Sequence, residues 1–149
     1  MNRLKSYVRR TILASAREYS YPSKRRTAEG TESAFRDAMR GTDTGWWSDL
    51  IYTAPMLEMA HRYRRDIATA LEEYRDATGE AYVWRDPNHG QDVDASRILS
   101  SLMTNRPWTF AEYQQPTTAG YAAEASLHGL RFAVEWYAGE LARDFAPNL

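Results

Sequence analysis

The chain offers few side chains that could do chemistry, and their spacing limits what that chemistry could be. Its three histidines are His61, His89 and His128. No two of them stand four apart as in a helical zinc pair, and no third ligand follows at a telling distance. There is no cysteine. Thiolate metal sites, disulfides and a cysteine nucleophile are therefore excluded. The acidic run Asp86-Pro87-Asn88-His89-Gly90-Gln91-Asp92-Val93-Asp94 has calcium-loop composition. Counted from Asp86, however, the twelfth position is Arg97, where an EF-hand needs a carboxylate. A turn leading into a helix cap at Asp94 accounts for it better. Glu72, Glu73 and Asp76 lie close together on a helix, the ordinary pattern of a solvated face. An acid–base pair would also need burial or a displaced pKa. Glycine-rich phosphate loops and the nucleophile-elbow pattern are absent from the sequence. The reading is a non-enzyme with no catalytic, cofactor-binding or metal-binding residues.

Surfaces are the remaining candidates. Up to Arg26 the chain carries eight basic residues against Glu18 alone, a balance of +7. The other eleven basic and nineteen acidic residues give −8, hence the net −1. Such asymmetry suits nucleic acid or another anionic partner at one end. The nucleic-acid candidates are Arg3, Arg9, Arg10, Arg17, Lys24, Arg25 and Arg26. The alternative is that the basic helix packs on the acidic body. Aromatic residues make up 13% of the chain, and exposed aromatics often anchor interfaces. Trp46 and Trp47, as neighbours on a helix, point about 100° apart, so one enters the core and the other marks its margin. His61, Arg64 and Arg65, at i, i+3 and i+4, form a small basic patch expected opposite the apolar stripe of their helix. These five are the candidates for binding a protein partner.

The elements that must position these residues read as helices. Residues 2–19 carry Leu4, Val8, Ile12 and Ala16 at helical spacing and stop before Pro22. Residues 1–26 form a basic helix and its connection. Short helices are expected from Thr31 to Arg40 and from Trp46 to Tyr52. Pro55 suits the first position of the next helix. Met56, Ala60, Tyr63, Ile67, Ala70, Leu71 and Tyr74 make one stripe that ends near Gly79. Ala81 to Trp84 is strand-like but has no evident partner, so it reads as extended loop. Asp94 caps a helix carrying Ile98, Leu99, Leu102 and Met103, and Thr109 with Glu112 has capping-box spacing. From Thr118 to Phe145 a long helix carries two stripes, with Gly129 and Gly139 as marks of close approach. The expected fold is all-α: a single compact domain of five to seven helices over residues 1–149. No apolar run reaches the length of a membrane span. The Arg-rich N-terminus also fits a mitochondrial presequence, but an amphipathic helix and a cytoplasmic chain fit better.

Gly45, Ser48, Leu50, Ile51 and Tyr52, followed by Met59 to Tyr74, match a Gly–x–x–Ser–x–Leu–Ile–Tyr segment and an aromatic, charged helix. With a weaker echo at Leu130 to Tyr137, about half of the chain resembles a family of small helical proteins encoded by phages and plasmids. The resemblance implies an inhibitor made by a mobile element that binds and blocks a host defence complex, such as a CRISPR–Cas effector, in the host-cell cytoplasm. It supplies no catalytic residue. The preponderance of arginine, 17 against 2 lysines, suits a GC-rich host. The expected partners are thus a host defence protein, a CRISPR–Cas subunit or similar, and nucleic acid, with no membrane. Self-association through Tyr121, Phe132, Trp136 and Tyr137 is a third expectation, giving a homodimer.

Overall fold

A computed structural model of the chain describes residues 2–10, 54–85 and 92–145. Three quarters of these residues are helical, so the all-α expectation holds. The described helices are α1 (residues 3–10), α2 (Ala54–Arg62), α3 (Arg64–Thr78), α4 (Ala95–Leu102), α5 (Phe110–Tyr113) and α6 (Thr118–Phe145). The helices expected at Thr31 to Arg40 and at Trp46 to Tyr52 lie outside the described residues.

The described residues fall into two compact units, one holding residues 2–10 and 134–145, the other residues 54–85 and 92–133. In the first, Asn2 caps α1, its side-chain oxygen accepting from the Lys5 N–H at 2.7 Å. Its amide nitrogen donates to the Tyr137 hydroxyl at 2.7 Å. Leu4 and Val8 are buried one turn apart, with Tyr137, Val134, Ala138 and Leu141 of α6 buried as well. Lys5 meets Glu140 at 3.1 Å, so one cation of the basic helix is spent on an internal pair.

In the second unit, Met56, Ala60, Tyr63, Ile67, Ala70 and Leu71 are all buried, as their spacing predicts. The stripe is carried by two helices rather than one, because the chain leaves helical geometry at Tyr63 (φ −100°, ψ 19°). The Arg64 guanidinium donates to the His61 carbonyl at 2.9 Å. A side chain thus competes for a carbonyl of the helical ladder at the break, a recognised cause of kinks. On either side Tyr63 N–H bonds Met59 O and Ile67 N–H bonds Tyr63 O, which keeps the stripe on one face. Gly79 ends α3 with φ +79°, a left-handed conformation glycine adopts without strain, its N–H returning to Arg75 O at 2.8 Å.

Strand-like Val83–Trp84 (β1) does have a partner. It pairs antiparallel with Val93–Asp94 (β2), matching Val83 with Asp94 and Trp84 with Val93. Two residues are too few to show a period, and Asp94 was already legible as a cap. It serves as both: its carboxylate accepts from Arg97 N–H at 2.8 Å as the N-cap of α4. The Thr109–Glu112 capping box of α5 is also formed in full.

α6 has 28 residues, about 42 Å at 1.5 Å per residue. Leu127, Leu130, Val134, Tyr137 and Leu141 are all buried along it. Phe132 packs edge-on to Tyr74 (5.5 Å) and against Tyr82 (4.2 Å). Gly129 brings α6 against Ile98 of α4 and Ile67 of α3. Of the four residues expected at a homodimer face, Phe132 and Tyr137 are buried within the chain and Trp136 is half-buried. Tyr121 alone of the four is well exposed, at 53%.

Candidate functional site

The two candidate surfaces part company in the structure. On α1, successive side chains turn by about 100°. Leu4 and Val8 then define one azimuth, and Arg3, Arg9 and Arg10 spread around the opposite one. All three arginines are exposed. Arg3 and Arg10, seven residues apart, share nearly one direction and sit about 10 Å apart along the axis. The interior takes Lys5, whose ion pair with Glu140 leaves both side chains about one-fifth exposed. Packing of the basic helix on acidic residues is thus realised at Lys5, while the arginines form a separate outward face. Arg17, Lys24, Arg25 and Arg26 lie outside the described residues.

His61 stands differently from its expected outward position. It is half-buried and lines a crevice with Leu57, Ser101, Leu102, Thr104, Trp108 and Ser126. Arg64 Nη1 lies 3.5 Å from His61 Nε2. A guanidinium can only donate, so Nε2 is the accepting nitrogen and the neutral ring carries its proton on Nδ1. That Nδ1 is buried and finds no hydrogen-bond partner among the described residues. Burial, and after it the charge of Arg64, lower the pKa of His61 below its ordinary 6.5. The crevice has no room for a water molecule. Its serines donate to carbonyls of their own helices, Ser101 to Ile98 O and Ser126 to Ala123 O, both at 2.7 Å. The pocket is a packing feature with a polar atom, His61 Nδ1, unpartnered among the described residues. Of the expected basic patch, Arg65 is exposed and Arg64 is half-buried beside His61. Trp46 and Trp47 lie outside the described residues.

His128 stacks on Trp84 (centroids 4.1 Å apart, 25° between planes), and its Nε2 lies 3.6 Å from Glu124 one turn away. Glu72 and Asp76 are exposed and Glu73 is half-buried. His89 falls outside the described residues. Among the described residues no three His, Asp or Glu side chains gather as metal ligands, and no helix is long and apolar enough to cross a membrane.

In the segment between α4 and α6 the sequence shows a capping box but no sign of an exposed surface. Of the exposed large apolar side chains among the described residues, Met103 and Phe110 lie there and Tyr121 lies in the first turn of α6. Met103 reads from its spacing as part of an apolar stripe, yet it is 63% exposed. The helix ends at Leu102, and Met103 takes the capping position with non-helical φ and ψ. Phe110 stacks on Tyr113 at 6.2 Å. Beside them Arg106 clasps Glu112 through two bonds, at 2.7 and 3.2 Å. These bonds, with the Thr109 backbone N–H, hold the Glu112 pKa down to about 2.

Compared with protein-family models, curated proteins and solved structures, the chain matches none.

Proposed function

We propose that the protein acts by binding rather than catalysis, and that it engages nucleic acid through the arginine face of α1. The observation that carries this reading is the division of labour on α1. Leu4 and Val8 face inward, Lys5 is tied to Glu140, and Arg3, Arg9 and Arg10 remain exposed on the far side. A helix used only to close a core would be well served by fewer like charges on one face. Guanidinium groups suit phosphate, to which each offers a planar fork of donors.

The test is a salt titration of binding to oligonucleotides by the whole chain. Each lost phosphate contact lowers the slope of log K against log salt by about 0.9 on duplex or 0.7 on single strands. The triple change Arg3→Gln, Arg9→Gln and Arg10→Gln is expected to flatten that slope by about 2–3, leaving the melting temperature near wild type. Salt-insensitive retention, or none at all, ends the reading.

A second reading is an inhibitor from a mobile element that blocks a host defence complex, such as a CRISPR–Cas effector, in the host-cell cytoplasm. It rests on the family resemblance, and the exposed Met103, Phe110 and Tyr121 favour it as side chains suited to a protein partner. Pull-down against effector subunits and plaquing of phage on CRISPR-active cells test it. No capture and no rescue of plaquing across several defence types removes it.

A further inference from the structure

The loop from α4 to α5 borders an open groove of about 340 Å³, lined by Met103, Thr104, Asn105, Arg106 and Trp108. That volume is within the range of ligand pockets. The loop is braced from within. Thr104 donates its hydroxyl to Arg106 O at 2.8 Å, and Arg106 donates to Pro107 O at 3.1 Å besides clasping Glu112. The Trp108 indole N–H donates to Ser101 O at 2.8 Å.

Trp108 lines the closed His61 crevice as well as this groove, so the indole is a wall between the interior and the open space. Its single donor is committed inward. What it presents to the groove is ring surface, which recognises by stacking. Met103 adds a polarisable thioether, favourable against aromatic rings. At the rim, exposed Asn105 offers an amide with two donors and an acceptor. A wholly aliphatic guest would leave that amide unused. A planar guest with an apolar face and a polar edge uses the ring and the rim together.

We infer that this groove is a stacking subsite for one unpaired nucleobase, with Trp108 as the platform, Met103 as the cover and Asn105 at the polar edge of the base. The inference rests on the nucleic-acid reading above and adds to it a preference for single strands. A base inside a duplex keeps both faces stacked on its neighbours and cannot enter. Stacking on an aromatic platform tolerates any base, so the preference is for strandedness more than sequence.

The test compares the whole chain on a fluorescently labelled, unstructured single strand and on the matching duplex at one salt concentration. Wild type is expected to bind the single strand more tightly. Trp108→Leu should weaken single-strand binding about tenfold and leave duplex binding and the salt slope unchanged. Trp108→Phe, which keeps a ring, should restore most of the loss. Met103→Ala and Asn105→Ala change exposed side chains and should weaken single-strand binding in the same sense, which keeps the test valid if Trp108→Leu unfolds. Equal affinity for both forms, or single-strand binding unaltered in folded Met103→Ala, Asn105→Ala and Trp108→Leu, overturns the subsite while leaving the arginine face standing. Displacement of the strand by a short apolar peptide that lacks polar side chains also overturns it, reassigning the groove to a protein side chain. If wild type binds neither form, the nucleic-acid reading itself fails.

Discussion

Substituting Gly129 by alanine tests the packing at the centre of the larger unit. A Cβ placed there falls 2.5 Å from Ile98 Cγ2 and 3.2 Å from Ile67 Cγ2. Both isoleucines are fully buried. A Cγ2 methyl is attached directly to Cβ, and in a helix its χ1 is held in one strongly preferred rotamer, so the methyl cannot swing aside. Relief has to come from separating α6 from α4. Overpacking costs about 1–3 kcal/mol, and a contact this short on stiff side chains belongs in the upper half of that range. Replacing glycine inside a helix returns about 1 kcal/mol. The net expectation is a loss of about 1–2 kcal/mol, a fall in melting temperature of roughly 3–8 °C. Gly139 is the internal control. A Cβ there meets nothing within 4 Å, so Gly139→Ala should gain up to about 1 kcal/mol from helix propensity alone. Urea unfolding followed by circular dichroism measures both. Ile98→Leu removes the offending Cγ2 branch, so the double variant should lose less than the two single losses combined. Should Gly129→Ala prove as stable as Gly139→Ala, the close approach of α6 to Ile98 is refuted.

Two further expectations concern pH. His61 has a lowered pKa in the folded chain, so below its ordinary 6.5 the unfolded state takes up a proton that the folded state resists. Its contribution is whole above 6.5 and is lost as pH falls from there toward the folded pKa; His61→Leu should remove that part of the acid loss in urea titrations between pH 7 and 5, and an unchanged pH dependence refutes it. Glu112, held at about 2 against an ordinary 4.5, stabilises its loop above 4.5 and loses that contribution as pH falls toward 2. A carboxyl NMR titration should find its midpoint well under 4.5, and Arg106→Gln should move the midpoint up; a midpoint at 4.5 in wild type contradicts the clasp.

How much was legible follows from how local each signal is. Gly79 as a stop, Asp94 as a cap, Thr109 with Glu112 as a capping box and α6 from Thr118 to Phe145 were all readable. Each depends on residues within a turn of one another. The pairing of Val83–Trp84 with Val93–Asp94 was not, because two residues a side carry no period and their register depends on segments ten residues apart. Tyr121 and Phe132 read alike as members of one stripe, yet one is exposed and the other is packed between two tyrosines. His61 sits at the right spacing for an outward patch. The break at Tyr63 and the arrival of Trp108 make it the wall of a crevice instead. The Trp108 groove left no signal at all, since its members are ordinary loop residues until the loop is folded and braced.

By itself the sequence determined the helical class, most of the caps, the buried stripe of α2 and α3 and the concentration of arginine at the N-terminus. These depend on backbone preference and on periodicity, which act over a few residues. Tertiary structure alone decided which cation of α1 is paired inward, which aromatics remain exposed, how closely α6 approaches Ile98 and where Trp108 turns its ring. The physical reason is that these outcomes depend on burial. Burial is fixed only when segments remote in sequence meet and exclude water from one side chain rather than another.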